Sequence, residues 1–269
     1  MFRVRTIHLP ICILQFALFI ALSGCAAKRL SLPTDTGTAL PDFAQIHAQV
    51  SSACSGARTL TAELALSGRA GRQRLRGRVV SGFQRPASMR LEGVAPFGPP
   101  AFILAARGGE ATLLLPRDER IVSGAKAEDI LGALTGVALG AADLQAVLTG
   151  CIVATPRAVA GRLHSGGWAS IDLEGGASIF LRQDGTRWRV RAARRGDWRL
   201  EYPLWQGDFP STVRLQSDTT GSRIDLTAQI SQLEVNVDVD ASAFTLNVPA
   251  AARPLSIDEL RENGPLGAQ

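Results

Sequence analysis

Over most of the chain apolar side chains fall on every second position, and this period limits the fold more than any other feature. Leu60, Ala62, Leu64 and Leu66 alternate with Thr61, Glu63 and Ser67. Leu75, Val79 and Phe83 then oppose Arg72, Arg74, Arg76 and Arg78. Met89 and Leu91, Ala101 to Ala106, Ala111 to Leu115 and Arg120 to Ser123 continue the series, with turns at Arg69-Ala70-Gly71, Gly108-Gly109 and Pro116-Arg117-Asp118. The same rhythm returns at Ile171 and Leu173, Ile179 and Leu181, Trp188 and Val190, Trp198 to Tyr202, and Val213 and Leu215. It runs on through Ile224 to Ile230 and Leu233 to Val239, with hairpin turns at Asp184-Gly185 and Thr220-Gly221. Alternation places one set of side chains on each face of a strand. The expectation is a mainly β chain of the α+β class. About eleven strands follow one another antiparallel in a single strongly curled sheet, an unclosed barrel with an apolar concave face.

Two interruptions have helical spacing. Asp42 can cap a helix from Phe43, and Phe43, Ile46, Val50 and Cys54 then share a face that ends at Ser55-Gly56. Between the two runs of strands, Ile130, Leu131 and Leu134 recur at helix spacing, Gly136 to Gly140 breaks it, and Leu144, Val147, Leu148 and Cys151 resume it. Each helix is apolar on one side and must lie on something. The trough of the sheet is the available surface, so an N-terminal helix and a central helical lid are expected to cover it.

The N-terminus reads as an address. Arg3 and Arg5 precede an apolar run from Ile11 to Leu22, the layout of a secretory signal, and the run is shorter than the roughly 20 residues a membrane span needs. Leu22-Ser23-Gly24-Cys25 resembles the lipobox of bacterial lipoproteins. The resemblance implies that Cys25 receives a diacylglyceryl group and becomes the acylated first residue, a covalent lipid being the one prosthetic group expected. Ala26 and Ala27 then lack the aspartate that retains such proteins at the inner membrane, so the implied place is the outer membrane, facing the periplasm. Residues 26–41 are small, polar and broken by Pro33, Gly37 and Pro41, and read as a flexible tether with a reach of roughly 50 Å. The expected divisions are a signal at 1–24, the lipidated N-terminus and tether at 25–41, the half-barrel at 42–249 and a polar tail at 250–269.

Composition narrows the rest. An apolar fraction of 46% excludes wholesale disorder. The formal charge of +5 falls to +3 once Arg3 and Arg5 leave with the signal. The arginines are spread along alternating positions with no block of stacking aromatics, which argues against nucleic acid. His47 and His164 read as surface histidines without ligand-spaced partners, and no serine stands in a nucleophile-elbow frame. No enzyme is expected. Cys54 and Cys151 are left after Cys12 and Cys25 are assigned to the signal and the lipid. Each ends the buried stripe of a cover helix, so they either bridge the two covers or stay as two buried thiols.

A helix, five or six strands, a helical lid and a second run of strands ending in Phe244 to Pro249 resemble the LolA and LolB families of bacterial lipoprotein carriers and receptors, LolB above all because it is itself lipidated. Ala95-Pro96-Phe97-Gly98-Pro99-Pro100 looks like the Pro-Leu-Gly loop of LolB, with Phe97 in the place of the leucine. The resemblance implies a membrane-contact loop at Pro96, Phe97 and Gly98, or else Phe97 folded back into the core. It also implies an acyl-chain cavity lined by Phe43, Ile46, Val50, Ile130, Leu131, Leu134, Leu144 and Leu148. Its implied partners are an acylated lipoprotein or phospholipid cargo and a periplasmic LolA-type carrier, with the protein itself a monomer. The glycine-rich lid and the tail from Pro254 depart from the family pattern. A structural envelope lipoprotein with a solid core, scaffolding a partner, is the alternative.

Overall fold

Strand pairing in the computed structural model joins the two runs of alternating residues into one sheet, but not in simple sequential order. Residues 30–71, 73–152, 157–219 and 222–262 are described. The signal segment and Cys25 lie outside them. In chain order the elements are β1 (Thr38–Ala39), α1 (Phe43–Gly56), β2 (Thr59–Ala70), β3 (Gln73–Gln84), β4 (Ser88–Val94), β5 (Ile103–Arg107), β6 (Glu110–Leu115) and β7 (Arg120–Ala125). The lid follows as α2 (Ala127–Thr135) and α3 (Ala141–Leu148). Then come β8 (Ala158–His164), β9 (Trp168–Leu173), β10 (Ser178–Asp184), β11 (Arg187–Arg195), β12 (Trp198–Gln206), β13 (Phe209–Thr219), β14 (Ser222–Val235), β15 (Arg253–Pro254) and α4 (Ile257–Glu262).

The order across the sheet is β1-β8-β9-β10-β11-β12-β13-β14-β2-β3-β4-β5-β6-β7-β15. Each run is an antiparallel meander, as its alternation demands. The join is non-local: β14 pairs with β2 in a ladder from Ile224↔Ala70 to Val235↔Leu60. Both strands turn apolar side chains to the concave face, so the pairing continues one greasy surface across the seam. The segment expected to form a separate strand from Leu233 is instead the end of β14. The ladder shifts register between Ser231 and Glu234, where Gln232 has φ 50°, and β14 stops before Asn236 at φ 60°.

The joined order leaves β7 and β8, consecutive strands, near opposite edges of the sheet. The chain between them carries α2 and α3, so the unclosed side of the barrel is bridged by helices. Leu60, Phe83, Met89, Leu104 and Leu113 from one run and Ile171, Leu181, Leu200 and Tyr202 from the other meet Ile130, Leu134, Val147 and Leu148 of the lid in one core. The convex face carries arginines, several of them paired to neighbouring carboxylates: Arg199 with Glu201, Arg214 with Asp225, Arg189 with Asp184. Arg182, Arg194 and Arg189 lie over the rings of Trp168, Phe180 and Trp205.

Residues 35–40 and 253–260 are drawn into the fold further than their composition suggests. Thr38 and Ala39 pair with Leu163 and Arg162 at the edge of β8, and Leu40 is only 7% exposed, so these residues, expected in a flexible tether, belong to the sheet. The tail is fastened too. Arg253 and Pro254 pair parallel with Arg120 and Ile121, Leu255 and Leu260 are buried, and α4 packs on α2. Short polar segments dock this way when an edge strand offers unpaired backbone groups, a circumstance invisible in their own composition.

Candidate functional site

α1 lies over the concave face, and three features fix it there. At its start Phe43 packs onto Gly161 of β8, where a Cβ would collide with the Phe43 side chain. Along its length the inward residues are Phe43, Ile46, His47, Val50, Ser51 and Cys54. At its end Cys54 is joined to Cys151, just past α3, as a disulfide. Asp42 occupies the N-cap position but its side chain makes no capping bond there. α3 is fastened in turn, Asp143 pairing with Arg195 at 2.9 Å and Gln145 Nε2 donating to the Ala57 carbonyl at 3.1 Å. α2 is held by apolar packing, with Ile130, Leu131 and Leu134 buried, and ends at Gly136, whose φ of 74° closes the helix in the left-handed region.

These contacts leave little space inside. Of the residues expected to line an acyl cavity, Ile130, Leu131, Leu134 and Leu148 are in the core and Phe43, Ile46, Val50 and Leu144 pack against it. The cavity directly beneath α1 has a volume of about 10 Å³ and is bounded by His47, Val50, Ser51, Gly150, Cys151, Ile152, Leu173, Ile179 and Val190. His47 is therefore not a surface residue: it faces apolar side chains, and burial pushes its imidazole below the usual histidine range. On the other side of Val50 and Val190 is a larger pocket of about 320 Å³. It opens between α1 (Gln49, Ser52, Ala53) and the sheet rim at Arg187, Trp188, Arg189, Trp205 and Asp208.

The loop 95–100 leaves the end of β4 and holds Phe97 88% exposed. The Arg117 guanidinium donates to the Phe97 carbonyl at 2.7 Å, tying the loop tip to the next turn along the same rim. Phe244 of the Phe-x-x-x-x-Pro segment is buried against β4 and β5, and Arg90 donates to the Ala243 carbonyl beside it.

A polar cluster on the convex face escaped sequence reasoning. His164 is the last residue of β8 and its side chain is 7% exposed, so the expectation of a surface histidine fails here as well. Its Nδ1 lies 2.8 Å from Asp35 Oδ1 and its Nε2 2.8 Å from Ser170 Oγ. The Ser165 backbone N–H donates to Asp35 Oδ2, and this bond, with the one from His164, holds the Asp35 carboxyl below the usual carboxylate range. The connectivity is that of an acid, a base and a hydroxyl nucleophile. Ser170, however, is 6% exposed in mid-strand, where a substrate carbonyl has no approach to its Oγ. The cluster clamps the N-terminal segment instead, and Arg162 assists by donating to the Thr36 carbonyl. Asp35 and His164 are far apart in sequence, and no local pattern marks either. Among the described residues no group of His, Cys, Asp and Glu could hold a metal ion, and no helix is long and apolar enough to cross a membrane.

No family model matches the chain, and no curated protein matches its sequence. Solved structures do match its coordinates. A DUF1329 family protein from Desulfovibrio piger aligns over 75% of this chain and 95% of its own, at 12% identity and a TM-score of 0.50. A LolA superfamily protein from Nitrosomonas europaea aligns over 75% of this chain and 97% of its own, at 10% identity and a TM-score of 0.44. The shared architecture is one large curled sheet, not closed by hydrogen bonds, with helices across it.

Proposed function

We propose that this chain is a LolB-like envelope lipoprotein that takes up an acyl chain inside its half-barrel and hands an acylated cargo, a lipoprotein or phospholipid, to the outer membrane. The observation that carries the reading is the open side of the sheet. An apolar concave face from two meanders is closed by helices alone, and helices can shift without breaking a strand ladder. The covers differ in how they are held. α1 is pinned by Cys54–Cys151 and by Phe43 on Gly161, whereas α2 rests on apolar contacts and ends at the hinge-like Gly136. In this reading an acyl chain takes the place of lid side chains such as Ile130 and Leu134 as α2 moves. Phe97, held out between prolines and glycine, enters the bilayer interface at the handover. Cys25 supplies the lipid anchor, a periplasmic LolA-type carrier delivers the cargo, and no chemical step is required of the protein.

The second reading, a structural envelope protein, is favoured by one observation, the cavity of only about 10 Å³ beneath α1. Native mass spectrometry of the full-length protein, extracted gently from cells, separates the two. Non-covalent lipid released on denaturation is expected in addition to the covalent anchor. A protein that carries its anchor and nothing else, and that ignores an acyl-chain fluorophore, would be the structural one.

A further inference from the structure

The pocket beside α1 has features that neither a filled core nor a solvated rim requires. Its volume of about 320 Å³ exceeds that of the cavity under the helix, and Val50 and Val190 line both, so these two side chains form the partition between them. The outer side is polar and aromatic, the inner side apolar apart from His47 and Ser51. Arg187 and Asp208 meet at 3.5 Å with side chains 68% and 66% exposed, an ion pair that water already weakens and an incoming anion can replace. Arg189 is committed elsewhere, donating to Asp184 and to the Gly207 carbonyl while lying over Trp205. It adds fixed positive charge to the wall without being free to leave. Trp205 lines the pocket with its ring, its Nε1 being buried without an acceptor among the described residues.

We infer that this pocket is the entry portal of the half-barrel and binds the anionic head, carboxylate or phosphate, of the amphiphile whose tail passes between Val50 and Val190. The inference rests on the acyl-binding reading above. Arg187 exchanges Asp208 for the head group, to which a guanidinium offers two parallel donors. The pinned α1 forms one jamb and β11 the other. The tail then runs toward Ile152, Leu173 and Ile179, which line the inner cavity. Entry here requires only the two valine side chains and the core beyond them to yield, while the disulfide and the contact at Gly161 stay intact.

The test uses the full-length protein in detergent and a pair of pyrene-labelled probes with the same tail, a fatty acid and its methyl ester. The acid is expected to bind about tenfold more tightly than the ester, the difference one charge-assisted contact makes. Arg187→Glu, which sets a second carboxylate beside Asp208, should erase or invert that difference. Val50→Trp, which fills the partition, should abolish both. Millimolar inorganic phosphate should compete with the acid and not with the ester. Equal binding of both probes, insensitive to Arg187→Glu, would overturn the head-group site while leaving acyl binding standing. Ester binding that survives Val50→Trp would place the tail elsewhere and overturn the portal. Failure of either probe to bind at all would remove the acyl-binding reading and this inference with it. Phosphate binding without probe binding would mark a free-anion site and overturn the portal.

Discussion

His164 Nδ1 stands 2.8 Å from Asp35 Oδ1, although 129 residues separate them in sequence. The contact ties the segment leading into β1 to the end of β8. β8 and β4 run in opposite senses in the sheet, so the N-terminal segment is held at the end away from the Phe97 loop.

Asp35→Asn or His164→Ala should loosen residues 36–40 and leave the barrel folded. Hydrogen exchange at Ala39 and Leu40 is the measure, and protection as in the parent protein would show that β1 does not depend on the clamp. The pH dependence has a defined sign. A carboxyl held below its ordinary value contributes fully above the ordinary aspartate range near pH 4, and its contribution disappears only as pH falls below that. Mild acidification to about pH 5 should therefore leave the segment docked.

Reduction of Cys54–Cys151, or replacement of both by alanine, opens a loop of 97 residues and should lower stability by up to about 4–5 kcal/mol in the chain-entropy limit. Urea unfolding with and without reductant reads this directly. Freed at Cys54, α1 should also let an acyl-chain fluorophore in faster; unchanged uptake would mean that the helix is not part of the entry path.

Gly161→Ala puts a methyl group where Phe43 lies, and α1 must shift to admit it. A loss of about 1–3 kcal/mol is expected, the usual range for overpacking a tight contact. A Phe43→Ala partner substitution should recover part of it, as the two side chains compete for one space. Simple additivity of the two losses would disprove the contact.

Burial holds the His47 imidazole below its ordinary value, so the folded state favours the neutral ring. This contribution is complete above about pH 6.5 and is lost as pH falls through the lower folded value, because the unfolded chain takes up the proton first. Exchange protection of α1 should weaken on acidification from pH 7 to about 5, and His47→Phe should flatten that profile. A slope that persists in the variant would assign the effect to another group.

Phe97→Ala removes a side chain that contacts almost nothing in the fold, so stability should change by less than about 0.5 kcal/mol. Transfer of a labelled acyl cargo to vesicles should nonetheless fall, while cargo binding is retained. Equal transfer rates would deny the loop its proposed role.

The alternation from Leu60 to Ile230 and the helix spacing of Phe43 to Cys54 and Ile130 to Leu148 were enough, by themselves, to determine a curled sheet with helices over its apolar face, because which face a side chain points to is a local property of the backbone. Whether Phe97 stands out or folds back, and whether Cys54 and Cys151 bridge or stay as thiols, the sequence left open, because each depends on what lies opposite in space. Which edges meet is not local. The β14–β2 seam, the docking of Thr38–Ala39 and Arg253–Pro254, and the gathering of Asp35, His164 and Ser170 each join residues far apart in sequence, and were decided only by tertiary packing. The same holds for the space under α1: periodicity says which side chains point inward, but only their summed volumes against the curvature of the sheet decide whether a cavity of about 10 Å³ or room for a lipid remains.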